Sequence, residues 1–317
     1  MKLLFICGSL NQTTQLYQIS RFFSQDECFF SPFYIGIEPE RLWRTIFHNT
    51  ILGGKHRQAT LRFLVQNNCA MDEAGKAHVY DAVFTCTDLI IQRNIRNRPI
   101  FLIQEGMTDP ERKRYRVYKA GLIPRWMAGT SATGLSNAYT LFFVASEGYK
   151  ELFVRKGADP NRIYVTGIPN FDNFAAYKEN TFPMRGYVLA VTSNLRECGE
   201  FEDRKGFIQK AVRIADGRPL VFKLHPAENV KRAAAEIRRW APGAEILAEC
   251  DTLAMTANCD VFITRQSSVV YAALALGKEV HCDLNLDELR RLLPIQNGGK
   301  SAEKIAEIVK NHLQSKL

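Results

Sequence analysis

Short apolar runs alternate with amphipathic stretches of helical period along most of the chain. An apolar run without alternation suits a strand buried on both faces, and a helix between two such strands makes them parallel. The pattern is clearest in the second half. Residues 187–193, 220–224, 245–248, 261–264 and 279–282 read as strands. Between them, residues 203–214, a stretch ending at Arg239, residues 251–258 and residues 268–276, closed by Gly277, read as helices. This repeated βα unit with short turns predicts an α/β fold with a doubly wound parallel sheet.

The first half is less regular. Residues 2–7, 82–85, 100–103, 141–145 and 163–166 read as strands, and 15–23 and 147–156 as helices, the latter closed by Gly157. Residues 28–78 hold aromatic runs that fit strand or buried helix equally. The stretch 178–186 is polar, contains Pro183 and Gly186, and separates two βα regions. With 317 residues the chain suits two domains of ~150 residues, here 1–178 and 179–317. The second includes an amphipathic terminal helix over 301–317, with Ile305, Ile308, Val309 and Leu313 on one face.

Composition narrows the class. The chain is 46% apolar and 24% charged, as in soluble globular proteins. Its first apolar run, residues 3–7, falls short of the ~7–15 residues of a secretory signal, and no run approaches the ~20 of a spanning helix. A cytoplasmic location is the expectation. Cysteines at 7, 28, 69, 86, 198, 250, 259 and 282 show no C-x-x-C spacing and mostly sit in apolar runs, so they read as small core residues. His48, His56, His78, His281 and His312 lack ligand spacing, and no metal or other cofactor is expected.

A net charge of +9 favours anionic partners such as nucleotides, phosphates or acidic lipid surfaces. Nucleic acid is not expected, because no recognition motif accompanies the charge. The excess concentrates in Arg112, Lys113, Arg114, Arg116, Lys119 and Arg125, interleaved with Tyr115, Tyr118 and Trp126. This stretch fits a solvated face, a membrane-surface patch or an anion-binding lid.

Ligands of open α/β sheets bind beyond the carboxyl ends of the strands, which directs attention to the turns there. Lys223-Leu224-His225-Pro226 ends one strand, and Pro226 suits the first turn of a following helix, whose N-terminus would let His225 meet a phosphate. The competing role is a histidine that caps its own loop. Ser267 or Ser268, after 261–264, would cap the following helix, and the two hydroxyls could also hold phosphate or ribose oxygens. Gln104-Glu105-Gly106 places a carboxylate at a strand end, as a general base or as a turn acid. Ser193 and Asn194, and Gly8, Ser9 and Asn11 after the first strand, are further polar turns. Asp172 fits either a nucleophile or a hinge cap. There is no D-x-D, no G-x-x-x-x-G-K-[ST] and no G-x-G-x-x-G, so metal-clamp, P-loop and dinucleotide functions are not expected.

The motif K-L-H-P at 223–226 and the run Q-S-S-V-V-Y-A-A-L-A-L-G-K-E-V at 266–280 resemble the GT-B glycosyltransferase superfamily. Within it, the pattern is most similar to bacterial transferases that use CMP-sugars, the Kdo and sialic acid transferases. The resemblance implies two Rossmann-like domains facing a central cleft, and metal-independent transfer of a sugar from a nucleotide donor to a surface glycan or glycolipid. It implies Glu105 as the base or acid at the acceptor hydroxyl, with Gly8, Ser9, Asn11, Gln104 and Gly106 on the acceptor side. His225, with Lys223, Pro226, Ser193, Asn194, Ser267 and Ser268, would bind nucleotide and phosphate. Asp172 would be the nucleophile if configuration is retained. A glycolipid acceptor implies peripheral association with the inner membrane surface. K-L-H-P also resembles CDP-glycerol glycerophosphotransferases. UDP-N-acetylglucosamine 2-epimerases share the fold, but where they carry a glycine-rich turn followed by paired acids this chain has Ser267-Ser268-Val269. A nucleotide-binding protein without catalysis is the remaining alternative.

Overall fold

The computed structural model describes residues 1–37, 39–47, 50–111, 113–197 and 199–315. His48, Arg112, Cys198 and the last two residues of the terminal stretch lie outside these. The chain forms two compact units, Met1–Asp172 with Asn297–Leu317, and Asn173–Gln296.

The first unit contains β1 (Lys2–Cys7), α1 (Leu10–Ser20), β2 (Glu27–Pro32), α2 (Glu40–Ile46), α3 (Gly54–Gln66), β3 (Ala82–Thr85), β4 (Ile100–Ile103), α4 (Lys113–Lys119), β5 (Leu141–Val144), α5 (Glu147–Lys156) and β6 (Ile163–Val165). Its strands form one parallel sheet in the order β2-β1-β3-β4-β5-β6. The ambiguous stretch thus resolves into a strand and two helices. The sheet carries an aromatic ladder set by register. Phe5 pairs with Phe30 and Phe84, and Phe84 with Phe101. Their ring centroids lie 5.1, 4.6 and 5.3 Å apart. Each such contact contributes ~0.5–1.5 kcal/mol beyond burial. Helix α1 begins at Leu10, earlier than expected, because the Ser9 hydroxyl accepts the Gln12 amide and caps it.

The second unit contains β7 (Val188–Val191), α6 (Arg204–Ala215), β8 (Leu220–Lys223), α7 (Val230–Trp240), β9 (Glu245–Leu247), α8 (Thr252–Asn258), β10 (Val261–Thr264), α9 (Val270–Ala275), β11 (Glu279–His281) and α10 (Leu286–Arg291). All its strands are parallel, in the order β11-β10-β7-β8-β9. Phe207, Ile208 and Ala211 of α6 and Ala233 and Ile237 of α7 close one core over Val188, Phe222 and Ile263. The doubly wound parallel architecture read from the alternating pattern is what forms.

The chain then returns to the first unit with α11 (Ser301–Gln314). This departs from the expectation that the terminal helix belongs with the second domain. Its apolar stripe of Ile305, Val309 and Leu313 is buried, and it packs against α1, with His312 edge-on to Phe101 at 6.0 Å. Residues 173–178 fall in the second unit, so the division lies a few residues before the polar linker. Cys7, Cys86 and Cys259 are buried, and burial pushes the Cys259 thiol up to about 12.

Candidate functional site

In a doubly wound sheet the strand order reverses at a switch point, where adjacent strand-end loops diverge and leave room for a ligand. In the second unit that point lies between β7 and β10. The order β10-β7-β8 sets the loops of Ser267 and Ser268, of Ser193 and Asn194, and of His225 and Pro226 side by side. Neighbouring strands are ~4.8 Å apart, so these loops fall within ~10 Å. The loops that carry the sequence-predicted nucleotide residues therefore follow adjacent strands at the carboxyl end of the sheet.

Their local chemistry differs from expectation. Pro226 does not open a helix. It sits in a turn closed by the Glu228 amide on the His225 carbonyl at 3.0 Å, and α7 starts only at Val230, capped by the Asn229 side chain. The His225 Nδ1 accepts the Ala227 amide at 3.1 Å, so in the neutral ring the proton sits on Nε2. Burial lowers the His225 pKa. Because the folded value lies below the ordinary 6.5, the unfolded chain takes up the proton first. This contribution to stability is present above 6.5 and fades as the pH falls toward the depressed value.

Ser267 and Ser268 precede α9 in a turn. The Ser267 hydroxyl accepts the Val269 amide at 3.3 Å, and the two carbonyls accept the Val270 and Tyr271 amides at 3.1 Å. Arg265, beside them, donates to Asp283 at 2.7 Å. One of its terminal amines is buried without a hydrogen-bond partner among the described residues.

Two expected ligand residues are already engaged. Lys223 is buried, and its ammonium holds the Leu224 and Ala248 carbonyls at 2.8 and 2.9 Å. It pins the end of β8 to the loop after β9 and does not point a charge at a phosphate. Ser193 is buried against Glu202 at 3.3 Å. Asn194, half-buried, follows it.

Beneath these loops lies a cluster that sequence reasoning missed. Arg204, 4% exposed, donates to Glu202 at 2.8 Å, to the Ser193 carbonyl at 3.2 Å and to Glu228. The other oxygen of Glu228 accepts from the Thr192 hydroxyl and, at 3.1 Å, from the His225 amide. Arg196 donates to both oxygens of Glu236 at 2.8 and 2.9 Å. The network ties the end of β7 to the turn after β8. Its one sequence signal was Glu228, three residues beyond His225.

The first unit gathers the other predicted set. Both carboxylate oxygens of Glu105 are held: Ser9 donates to one at 2.7 Å and the Gln12 amide to the other at 2.6 Å. Asn11 donates to the Glu105 carbonyl at 3.1 Å, and Asn170 donates to the Asn11 carbonyl at 2.7 Å. A Cβ on Gly8 would lie 2.0 Å from the Gln12 side-chain oxygen and would turn that side chain away from Glu105. A Cβ on Gly106 would press on the Phe171 ring at 3.2 Å. Gln104 is buried and accepts the Ala145 amide at 2.9 Å, joining the ends of β4 and β5. Gln12 and Asn170 were not singled out from sequence.

Asp172 is 1% exposed. Its carboxylate accepts the Ser301 amide at 2.8 Å and caps α11, and burial raises its pKa. Of the two roles open for it, the cap is the one its surroundings support. A capping carboxylate at this depth has no open face for a reacting carbon. Among the described residues no three His, Cys, Asp or Glu side chains are grouped so as to hold a metal ion, and no helix is long and apolar enough to cross a membrane.

Two parallel-sheet units of Rossmann type, each with polar strand-end loops, define a GT-B-like fold. No protein-family model matches the sequence, and no curated protein does. Among solved structures the chain is similar to the UDP-GlcNAc 2-epimerase of Neisseria meningitidis bound to UDP-GlcNAc, with TM-score 0.61 and 13% identity over 98% of this chain and 100% of that one. It is similar to the UDP-GlcNAc 2-epimerase of Methanocaldococcus jannaschii in complex with UDP-GlcNAc and UDP, with TM-score 0.56 and 14% identity over 98% and 100%. It is also similar to HepE of Anabaena in complex with UDP, with TM-score 0.55 and 13% identity over 99% and 100%. At such identities the likeness shows the fold.

Proposed function

We propose that the chain is a nucleotide-sugar enzyme. The nucleotide phosphates would sit at the β10-β7-β8 loop ends, against His225, Arg265, Ser267 and Ser268, and Glu105 would handle a proton. The observation that supports this reading is that the loops carrying these residues follow three adjacent strands, β10, β7 and β8, beside the switch point of the second unit. The fold likeness, which spans nearly the whole chain, supports a UDP-sugar and epimerisation of the type named for those structures. A CMP-sugar transferase is the second reading. It draws on Ser267-Ser268-Val269, which departs from the glycine-rich turn and paired acids of the epimerases.

Thermal shift against UDP, CMP, CDP and GDP, followed by incubation with UDP-GlcNAc alone, tests both. UDP should stabilise the protein most, by ~2.7 kcal/mol at a hundredfold excess over Kd, and the C2 epimer should accumulate without an acceptor. A CMP preference, with turnover only when an acceptor glycan is added, would replace epimerase by transferase. No shift with any nucleotide would remove both.

His225→Asn keeps an acceptor where Nδ1 receives the Ala227 amide but lacks Nε2. It should weaken nucleotide binding ~10–100-fold, the loss of one hydrogen bond to a charged group, while the Tm at pH 8 stays near wild type. Titration calorimetry giving wild-type affinity would withdraw His225 from phosphate contact.

A further inference from the structure

We propose that the α4 surface of the first unit docks on an anionic lipid bilayer, with a headgroup phosphate seated in a basic pocket beside α4 and the C-terminal end of α5. The inference stands apart from the sugar chemistry above. An open pocket of about 370 Å³ is lined by Glu111, Tyr115, Arg116, Lys119, Arg155 and Lys156. Lys156 forms its inner wall. It is buried, donates to the Ser131 carbonyl, and stands 4.6 Å over the Tyr115 ring. Glu111 reaches it only at 3.9 Å. Lys119 donates to the Lys156 carbonyl at 3.3 Å, and no ion pair of Lys113, Arg114, Arg116 or Arg155 is seen among the described residues. The guanidinium fork of arginine and the ammonium of lysine are the groups that hold phosphate oxygens.

Apolar side chains lie exposed in the same stretch of chain, with Trp126 making one edge-on ring contact, to Phe47 at 6.3 Å. Leu122 is 75% exposed, and Val117, Trp126 and Met127 are exposed beside it in sequence. Helix α4 packs against the 3-10 segment Arg125–Ala132, fastened by a small cluster of Tyr115, Ala128 and Ala132. Basic side chains with adjacent exposed Trp, Leu and Met have the composition of a surface that inserts shallowly among anionic headgroups. Charge complementarity selects the anionic lipid, and the apolar tips favour a bilayer over nucleic acid. Helix α5 starts at the carboxyl end of β5 and rises ~1.5 Å per residue. Arg155 and Lys156 are the last residues of that helix, ~13 Å along its axis from the loop after β5.

Co-sedimentation of the full chain with vesicles tests this, comparing pure phosphatidylcholine with phosphatidylcholine and phosphatidylglycerol in equal parts. Binding should appear only with phosphatidylglycerol and weaken with salt. Each basic residue removed should cost about fivefold, so Lys113→Gln, Arg114→Gln, Arg116→Gln and Lys119→Gln together should cost several hundredfold. Leu122→Ser with Met127→Ser, both at exposed positions, should weaken binding while leaving the Tm unchanged. Equal binding to both vesicle types, or no loss in either variant, would overturn the proposal. So would stabilisation by inorganic phosphate without vesicle binding, which would assign the pocket to a soluble anion, and so would capture of RNA without capture of vesicles.

Discussion

Glu105→Gln is expected to cut turnover ~10²–10⁴-fold, the usual share of a positioned acid or base, and to leave nucleotide affinity within a factor of two or so. The affinity should hold because the proposed nucleotide loops belong to the other unit. The substitution also has a measurable structural cost. Ser9 and the Gln12 amide each donate to a carboxylate oxygen of Glu105, and a glutamine amide would turn a donor toward one of them. One lost hydrogen bond costs ~1 kcal/mol, so the Tm should fall by a few degrees while the fold persists. Turnover at saturating substrate and the denaturation curve separate the two effects. Wild-type turnover would reduce Glu105 to a brace between the loops after β1 and β4. Ser9→Ala sharpens the comparison, because it removes one donor and keeps the carboxylate. Because the same hydroxyl caps α1, it should cost more stability and much less turnover.

Glu228→Ala should destabilise the second unit by ~3–5 kcal/mol, because removing one partner of a buried ion pair strands the other charge. Arg204 would be left with Glu202 and the Ser193 carbonyl, one of its amines having no hydrogen-bond partner among the described residues. The Thr192 hydroxyl and the His225 amide would lose their shared acceptor. Urea denaturation measures the loss. A change below ~1 kcal/mol would mean that water or a neighbour compensates the charge and that the cluster does not brace the loops. If it does brace them, nucleotide affinity should fall along with stability, although Glu228 accepts from the His225 backbone and makes no contact of its own with nucleotide in the proposed site. Glu228→Gln, which retains an oxygen for Thr192, should lose less of both.

Most strands were legible because parallel strands buried on both faces must be apolar throughout. Residues 82–85, 100–103 and 261–264 are strands at the expected bounds. Helix starts were harder. The α1 start hides in a polar turn whose meaning depends on one serine side chain. The turn after β8 looks like a proline-led helix start until the Glu228 amide closes it on His225. A motif shows which groups are present but not which are already satisfied. Lys223 and Ser193 carry suitable chemistry and spend it on neighbouring carbonyls and Glu202.

The order of residues by itself determined that the chain forms parallel sheets under helices, and that polar groups collect where strands end. Both follow from local patterning of burial, which a short stretch carries in its own side chains. Strand order, the pairing of Glu105 with Ser9 and Gln12, the Arg204 cluster and the return of α11 to the first unit were settled only by the tertiary structure. Each joins residues far apart in the chain, and their contact energies exist only once the sheets have closed.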